Sequence, residues 1–263
     1  MATLQEKTDK LKEYLRELGS VVVAFSAGVD SALLLKVAHD TLGDKCIAVT
    51  AKHPTFFSSD FEMSQEFCRD EGIEHIILEK DTLADKKVRE NSKLRCYYCK
   101  LLLMQGLLDV AKGRGIPYVI DGTNVDDKGD YRPGMKALAE LKIISPLMEA
   151  GFHKNDVRDL AKELGLPVWN KPENACLATR IPYGEEITVP KLQMIEQGEE
   201  KIKEFVTGHV RVRMRGKDAK IEVDAKEISR IMKNDVMSEV FDHLTGLGFE
   251  GVELDIMGYR RGG

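Results

Sequence analysis

The sequence predicts an α/β protein, a doubly wound parallel sheet followed by a smaller C-terminal α+β domain, and three observations carry that prediction. Short apolar runs alternate with amphipathic stretches at helical spacing through the first two thirds of the chain. A glycine-bearing turn joins the first apolar run directly to a helix. The alternation stops near Pro182-Tyr183-Gly184, and a different succession of strands and helices follows.

Taken in order, Leu4, Leu11, Leu15 and Leu18 recur at helical spacing, and Gly19-Ser20 leads into Val21-Val22-Val23-Ala24-Phe25. A short, wholly apolar run of this kind reads as a strand of a parallel sheet, covered on both faces. The turn Ser26-Ala27-Gly28-Val29-Asp30-Ser31 comes next, and Ala32 to Ala38 continues as a helix. Strands are then expected at Cys46 to Thr50, His75 to Leu78 and Tyr118 to Asp121, separated by helices at Asp60 to Asp70 and Lys100 to Ala111. Such units wind right-handedly and bind ligands at the carboxyl ends of their strands. Beyond about Glu185 come a helix at Pro190 to Phe205, strands at Val210 to Met214 and Lys220 to Val223, a helix at Ser238 to Leu247 and a strand at Val252 to Met257. The expected division is therefore residues 1–185 and 186–263, the second unit having antiparallel strands.

The 263 residues suffice for two domains, and 43% hydrophobic with 32% charged residues is a globular composition. A net charge of -5 recommends no nucleic acid as partner. The charged N-terminus has no apolar signal region, and no run approaches the ~18 apolar residues of a membrane span. A cytoplasmic protein without a membrane partner is expected, its five cysteines reduced and serving metal binding or reactivity.

Where an apolar strand turns straight into a helix, backbone N–H groups and the positive helix end converge on a site for an anion. The Ser26 to Ser31 turn suits phosphate, but no Gly-Lys-Ser/Thr follows, so it is not a Walker loop. An ordinary turn with Asp30 and Ser31 capping the helix is the plainer alternative. Thr50-Ala51 and Asp121-Gly122-Thr123-Asn124 end two further strands; Gly122 reads equally as a simple turn glycine.

Cys96-Tyr97-Tyr98-Cys99 sits just before an expected helix, where a helix N-terminus favours the thiolate, and Cys176 lies far downstream. Three thiolates do not close a zinc site, and the six histidines are scattered. Cys96, Cys99 and Cys176 suit an iron-sulfur cluster with one open iron; a redox or structural CxxC with an inert Cys176 is the alternative. Cys46 and Cys68 fall in a strand and an amphipathic helix and read as core. In His209 to Arg215, Val210, Val212 and Met214 alternate with Arg211, Arg213 and Arg215, so the guanidiniums share one face. They serve either phosphate or solubility. Glu199 and Glu200 offer acid/base groups or merely an exposed helical face.

The turn resembles the SGGVDS loop of PP-loop ATP pyrophosphatases, of the adenine nucleotide alpha hydrolase-like fold. The resemblance implies that Ala24, Phe25, Ser26, Gly28, Val29, Asp30 and Ser31 bind ATP, the loop amides and the two serine hydroxyls holding pyrophosphate. Asp30 would orient the loop or a Mg2+ ion, with Thr50 and Ala51 near the adenosine and Gly122, Thr123 and Asn124 beside the phosphates. Ala27 departs from the family's glycine; since a left-handed alanine costs ~1 kcal/mol or more, negative φ is expected there. With the Cys96–Lys100 segment, Gly129-Asp130-Tyr131-Arg132-Pro133-Gly134 and Ala175 to Gly184, nearly the whole chain is similar to the LarE family of ATP-dependent sulfur transferases. These build the pyridinium bisthiocarboxylate mononucleotide of the nickel-pincer cofactor of lactate racemase. The resemblance implies adenylation of the pyridinium dicarboxylate mononucleotide, loss of pyrophosphate and attack by sulfur, giving a thiocarboxylate and AMP. One branch sacrifices the sulfur of a lone cysteine matching Cys176. The other carries sulfide, from a separate donor, on a [4Fe-4S] cluster held by three cysteines, and all three are present here. Arg180 would steady developing phosphate charge as a catalytic group with Cys176 and Asp30, Arg211 and Arg213 would bind the mononucleotide phosphate, and a homo-oligomer is implied. A cluster-dependent tRNA thiolase, an ATP-dependent amide-forming ligase and a regulatory nucleotide-binding module are the rival readings.

Overall fold

A computed structural model of the protein describes residues 2–129 and 133–260. Asp130, Tyr131 and Arg132 of the motif quoted above lie outside the described residues. The chain divides into two compact units, residues 1–82 with 94–173, and 83–93 with 174–263.

The first unit is a four-stranded parallel sheet in the order β3-β2-β1-β4. Its strands are β1 (Val21–Ala24), β2 (Cys46–Lys52), β3 (His75–Glu79) and β4 (Tyr118–Ile120). Ile144 forms a parallel bridge to Ile120, extending the sheet beyond β4. The unit's helices are α1 (Leu4–Leu18), α2 (Val29–Leu42) and α3 (Ser58–Asp70), then α5 (Arg95–Gly113), α6 (Pro133–Glu140), α7 (Pro146–Glu149) and α8 (Lys154–Glu163); the one-turn α4 (Lys86–Arg89) belongs to the second unit. Alternate strand residues feed two cores, as period-2 geometry requires. Val21, Val23, Cys46 and Ala48 pack with Leu11, Leu15, Leu33 and Phe67. Val22, Ile47 and Val49 pack with Met104, Leu107 and Leu138 on the opposite face. Both faces are thus covered, which explains the uninterrupted apolar runs. Strand order reverses between β1 and β4, and the loops after those two strands flank the crevice where sheets of this kind bind ligands.

The second unit holds α9 (Val189–Lys203), β5 (Val210–Arg215), β6 (Asp218–Val223), α10 (Ile228–Ile231), α11 (Asn234–Gly246) and β7 (Val252–Leu254). β5 and β6 are antiparallel, but β7 pairs parallel with β6, so the sheet is mixed and not wholly antiparallel as expected. The connection through α10 and α11 is long enough to bring the chain back in the same direction. Val210, Val212 and Met214 are buried, with Leu192, Ile195 and Ile202 of α9 buried as well. The division between units falls ahead of the expected Glu185. Asn91 donates its side-chain amide to the carbonyls of Ile181 (3.2 Å) and Pro182 (2.8 Å), and its own carbonyl accepts from the Gly184 amide at 3.0 Å. These pairings between distant stretches gather 83–93 and 174–185 into one unit. No described helix is long and apolar enough to cross a membrane.

Candidate functional site

The loop after β1 is closed on itself by hydroxyls. Ser31 Oγ donates to the Gly28 carbonyl at 3.1 Å, accepts from the Ser26 amide at 3.3 Å and lies 3.1 Å from Ser26 Oγ. Ser31 is buried while Ser26 is exposed, so the ring of hydroxyls has one wet edge. Gly28 is the N-cap of α2, with no side chain capping the helix. Phe25 is buried, its amide bonded to the Val49 carbonyl, and the amides of the first helical turn begin at Val29.

Ala27 has φ +54°, against the expectation of a negative angle. Its methyl is buried, and the left-handed conformation costs an alanine ~1–2 kcal/mol that a glycine would not incur. Lys171 Nζ donates to the Ala27 carbonyl at 2.9 Å and is itself held by Asp60 at 2.8 Å, so surrounding structure holds the strained residue in place.

Asp30, one residue into the helix, is gripped on both oxygens: Asn124 donates to Oδ1 at 3.0 Å and Lys154 Nζ to Oδ2 at 2.5 Å. Lys154 also lies 3.4 Å from Glu173. These contacts tie Asp30 to the segment after β4 and to the start of α8. The segment after β4 is pressed against the same helix start. A Cβ on Gly122 would stand 2.8 Å from the Ser31 amide nitrogen and 3.0 Å from the Asp30 carbonyl carbon. Gly122 is therefore required by close backbone approach and is more than a turn residue. Beside it, buried Asp121 accepts from Thr123 Oγ1 and Ser145 Oγ, each at 2.7 Å.

Thr50 is fully buried, and its hydroxyl donates to the Phe25 carbonyl at 2.9 Å and pairs with His75 Nε2 at 2.8 Å. It ties the end of β2 to the end of β1, with Ala51 following half-buried. Burial lowers the pKa of His75, and that of His53 to about 4.

Cys96 and Cys99 occupy the first turns of α5, which starts at Arg95 and thus earlier than expected; the CxxC is part of the helix. No glycine or proline stands between the motif and Lys100, so the helix propagates back through the motif. The buried Arg95 guanidinium donates to Cys96 Sγ at 3.6 Å. Lys100, in the next turn, reaches Asp121 at 3.9 Å, which sets this end of α5 beside the carboxyl end of β4. Cys96, Cys99 and Cys176 are part-exposed thiols, whereas Cys46 and Cys68 are buried and desolvation pushes both thiols up to about 12. The chemistry of the three part-exposed donors suits iron-sulfur ligation and that of the two buried ones does not. Among the described residues no group of three or more His, Cys, Asp or Glu side chains is gathered to hold a metal ion.

In the second unit Cys176 precedes a 3-10 turn, Leu177–Arg180. Its carbonyl accepts from the Thr179 amide (3.0 Å), Thr179 Oγ1 (2.9 Å) and Arg180 (3.2 Å). Arg180 is only 1% exposed and fully committed: it meets Glu199 with two nitrogens at 2.7 and 3.0 Å and also donates to the Ala175 carbonyl, Thr179 Oγ1 and Asn174. Its donors are taken up by Glu199 and by the turn around Cys176. Glu199, fully buried, also accepts from the Val212 amide at 3.1 Å, so it lies on no exposed face; Glu200 is exposed. Arg211 is 5% exposed, stacked on Tyr259 at 5.2 Å, and burial followed by the field of Arg180 lowers its pKa. Arg213 pairs with Glu222 at 2.8 Å and donates to the Thr179 carbonyl. Both arginines share a face of β5, as expected, but Arg211 is buried.

Lys154, Lys171, Arg95 and Tyr259 went unmarked in the sequence, since no spacing or motif distinguishes them from surface residues of the same type.

No family model matches the chain. It is 37% identical over its full length, and over 95% of the relative, to the pyridinium-3,5-bisthiocarboxylic acid mononucleotide synthase of Lactiplantibacillus plantarum. An uncharacterized protein of Synechocystis is 38% identical over 98% of this chain and 97% of its own. A subunit of the glutamine-hydrolyzing GMP synthase of Pyrococcus furiosus is 27% identical over 77% of this chain and 68% of its own.

Proposed function

The chain belongs to the LarE family of pyridinium-3,5-bisthiocarboxylic acid mononucleotide synthases, within the PP-loop superfamily, and from that premise we propose that it is an ATP-dependent sulfur transferase of nickel-pincer cofactor synthesis. A carboxylate oxygen of the pyridinium dicarboxylate mononucleotide attacks the α-phosphorus of ATP, and pyrophosphate leaves. Sulfur then attacks the acyl carbon, the acyl–oxygen bond breaks, and AMP departs with that oxygen, leaving a thiocarboxylate.

The amides at the start of α2, with Ser26 and Ser31, hold the pyrophosphate, and Mg2+ accompanies the nucleotide. Asp30, clamped by Asn124 and Lys154, fixes the loop. A [4Fe-4S] cluster on Cys96, Cys99 and Cys176 would supply an open iron able to carry sulfide from a separate donor. Arg180 and Glu199 hold the Cys176 turn, and Arg211 with Arg213 receives the nucleotide phosphate of the substrate. The protein works in the cytoplasm as a homo-oligomer, without nucleic acid or membrane.

The observation that carries this reading is the coincidence, in one unit, of an uncapped helix start at the strand-order reversal with two part-exposed thiols in the helix whose Lys100 reaches the adjoining strand end. The amide-forming ligases share the loop but have no task for those thiols. Incubation with ATP and either the pyridinium dicarboxylate mononucleotide or unmodified tRNA tests it. AMP formation with the mononucleotide is expected; AMP formation with tRNA alone refutes the proposal.

A further inference from the structure

The peptide between Ala27 and Gly28 is the one place in the loop where strain and an outside tether meet. Ala27 sits at φ +54°, and its carbonyl is the acceptor of Lys171 Nζ at 2.9 Å. Lys171 is anchored in turn by Asp60 at 2.8 Å and touches Met63 Sδ at 3.2 Å, both residues of α3. Asp60 is 8% exposed, so the anchor stands out of solvent, where a charged hydrogen bond is strongest. Across a trans peptide the carbonyl and the next N–H point in opposite directions. Pulling the Ala27 oxygen toward α3 therefore turns the Gly28 N–H the other way, toward the mouth of α2.

We infer that Lys171, braced by Asp60, is a positioning residue that holds the Ala27–Gly28 peptide in its strained orientation and so presets the Gly28 amide for the polyphosphate of ATP. Rather than contacting the phosphates, the lysine acts through the backbone. Without it, Ala27 relaxes to negative φ, and ATP must restore the strained peptide on binding. A glycine at position 27 would remove most of that cost, because it adopts positive φ freely. The inference rests on the loop being the ATP site.

The test is a cycle of ATP dissociation constants, measured by calorimetry on the full chain for wild type, Lys171→Met, Ala27→Gly and the double variant, each checked for wild-type circular dichroism. Lys171→Met is expected to weaken ATP roughly tenfold in the alanine background, equal to ~1.4 kcal/mol, and no more than about two- to threefold in the glycine background. Equal weakening in both backgrounds would make Lys171 a direct phosphate ligand and overturn the inference, as would no weakening in either. Failure of the wild-type protein to bind ATP would instead overturn the nucleotide-site reading. Should Lys171→Met not fold, Asp60→Asn, which loosens the brace and keeps the lysine, is expected to show the same dependence on residue 27, and its absence counts against the inference in the same way.

Discussion

Substituting Gly122 by alanine tests the contact that builds the nucleotide pocket. The added Cβ would lie 2.8 Å from the Ser31 nitrogen and 3.0 Å from both the Asp30 carbonyl carbon and the Ser31 Cα. All three are backbone atoms of a helix start, so no rotamer change relieves the overlap; either the segment after β4 or the first turn of α2 must retreat. Overpacking of this kind costs ~1–3 kcal/mol. For a unit of this size each kcal/mol shifts Tm by about 2–4 °C, so a fall of roughly 2–12 °C is expected in thermal unfolding. Displacement of the helix start also moves the amides that face the polyphosphate, and ATP affinity should fall at least about tenfold, followed by calorimetry. A Gly122→Ala protein with wild-type Tm and wild-type ATP affinity would refute the claim that these two strand ends are fitted to one another at backbone contact.

Other outcomes follow from the same structure. Glu199→Gln leaves the buried Arg180 charge uncompensated and is expected to cost ~3–5 kcal/mol in chemical denaturation, whereas the double variant Arg180→Met, Glu199→Leu should recover much of that loss. Brief alkylation of the folded, cluster-free protein with iodoacetamide at neutral pH should modify Cys96, Cys99 and Cys176 while sparing Cys46 and Cys68, whose thiols are pushed up to about 12; peptide mass mapping reads the difference. His53 is held near 4 by desolvation, below its ordinary 6.5, so its unfolded form binds the proton more readily. Stability is then full above pH 6.5 and declines as pH falls toward 4, by up to ~3 kcal/mol from this group; His53→Gln should flatten that limb of a pH series of denaturant midpoints.

The parallel sheet was legible because both of its faces are covered: Val21, Val22 and Val23 are all fully buried and therefore all apolar. The loop after β1 was legible because strand, glycine and helix stand in immediate succession. What local pattern could not reveal was pairing between distant stretches. Asn91 reaching the carbonyls of Ile181 and Pro182 moves the domain division, and nothing near Asn91 announces it. Lys154 and Lys171 meet the loop from 124 and 144 residues away in sequence. Ala27 failed in an instructive way: the preference of alanine for negative φ is a local rule, overridden by a tether from Lys171. The pairing of Arg180 with Glu199 was equally out of reach, since nothing local in the sequence links two residues on separate elements.

The central claim, sulfur delivered to an ATP-activated carboxylate by a protein that keeps its own cysteines, is tested most directly by mass spectrometry of one anaerobic reaction with ATP, sulfide and the pyridinium dicarboxylate mononucleotide. The account predicts thiocarboxylate product in excess of enzyme, with Cys176 unaltered. Product limited to one sulfur per chain, with Cys176 converted to dehydroalanine, would contradict it.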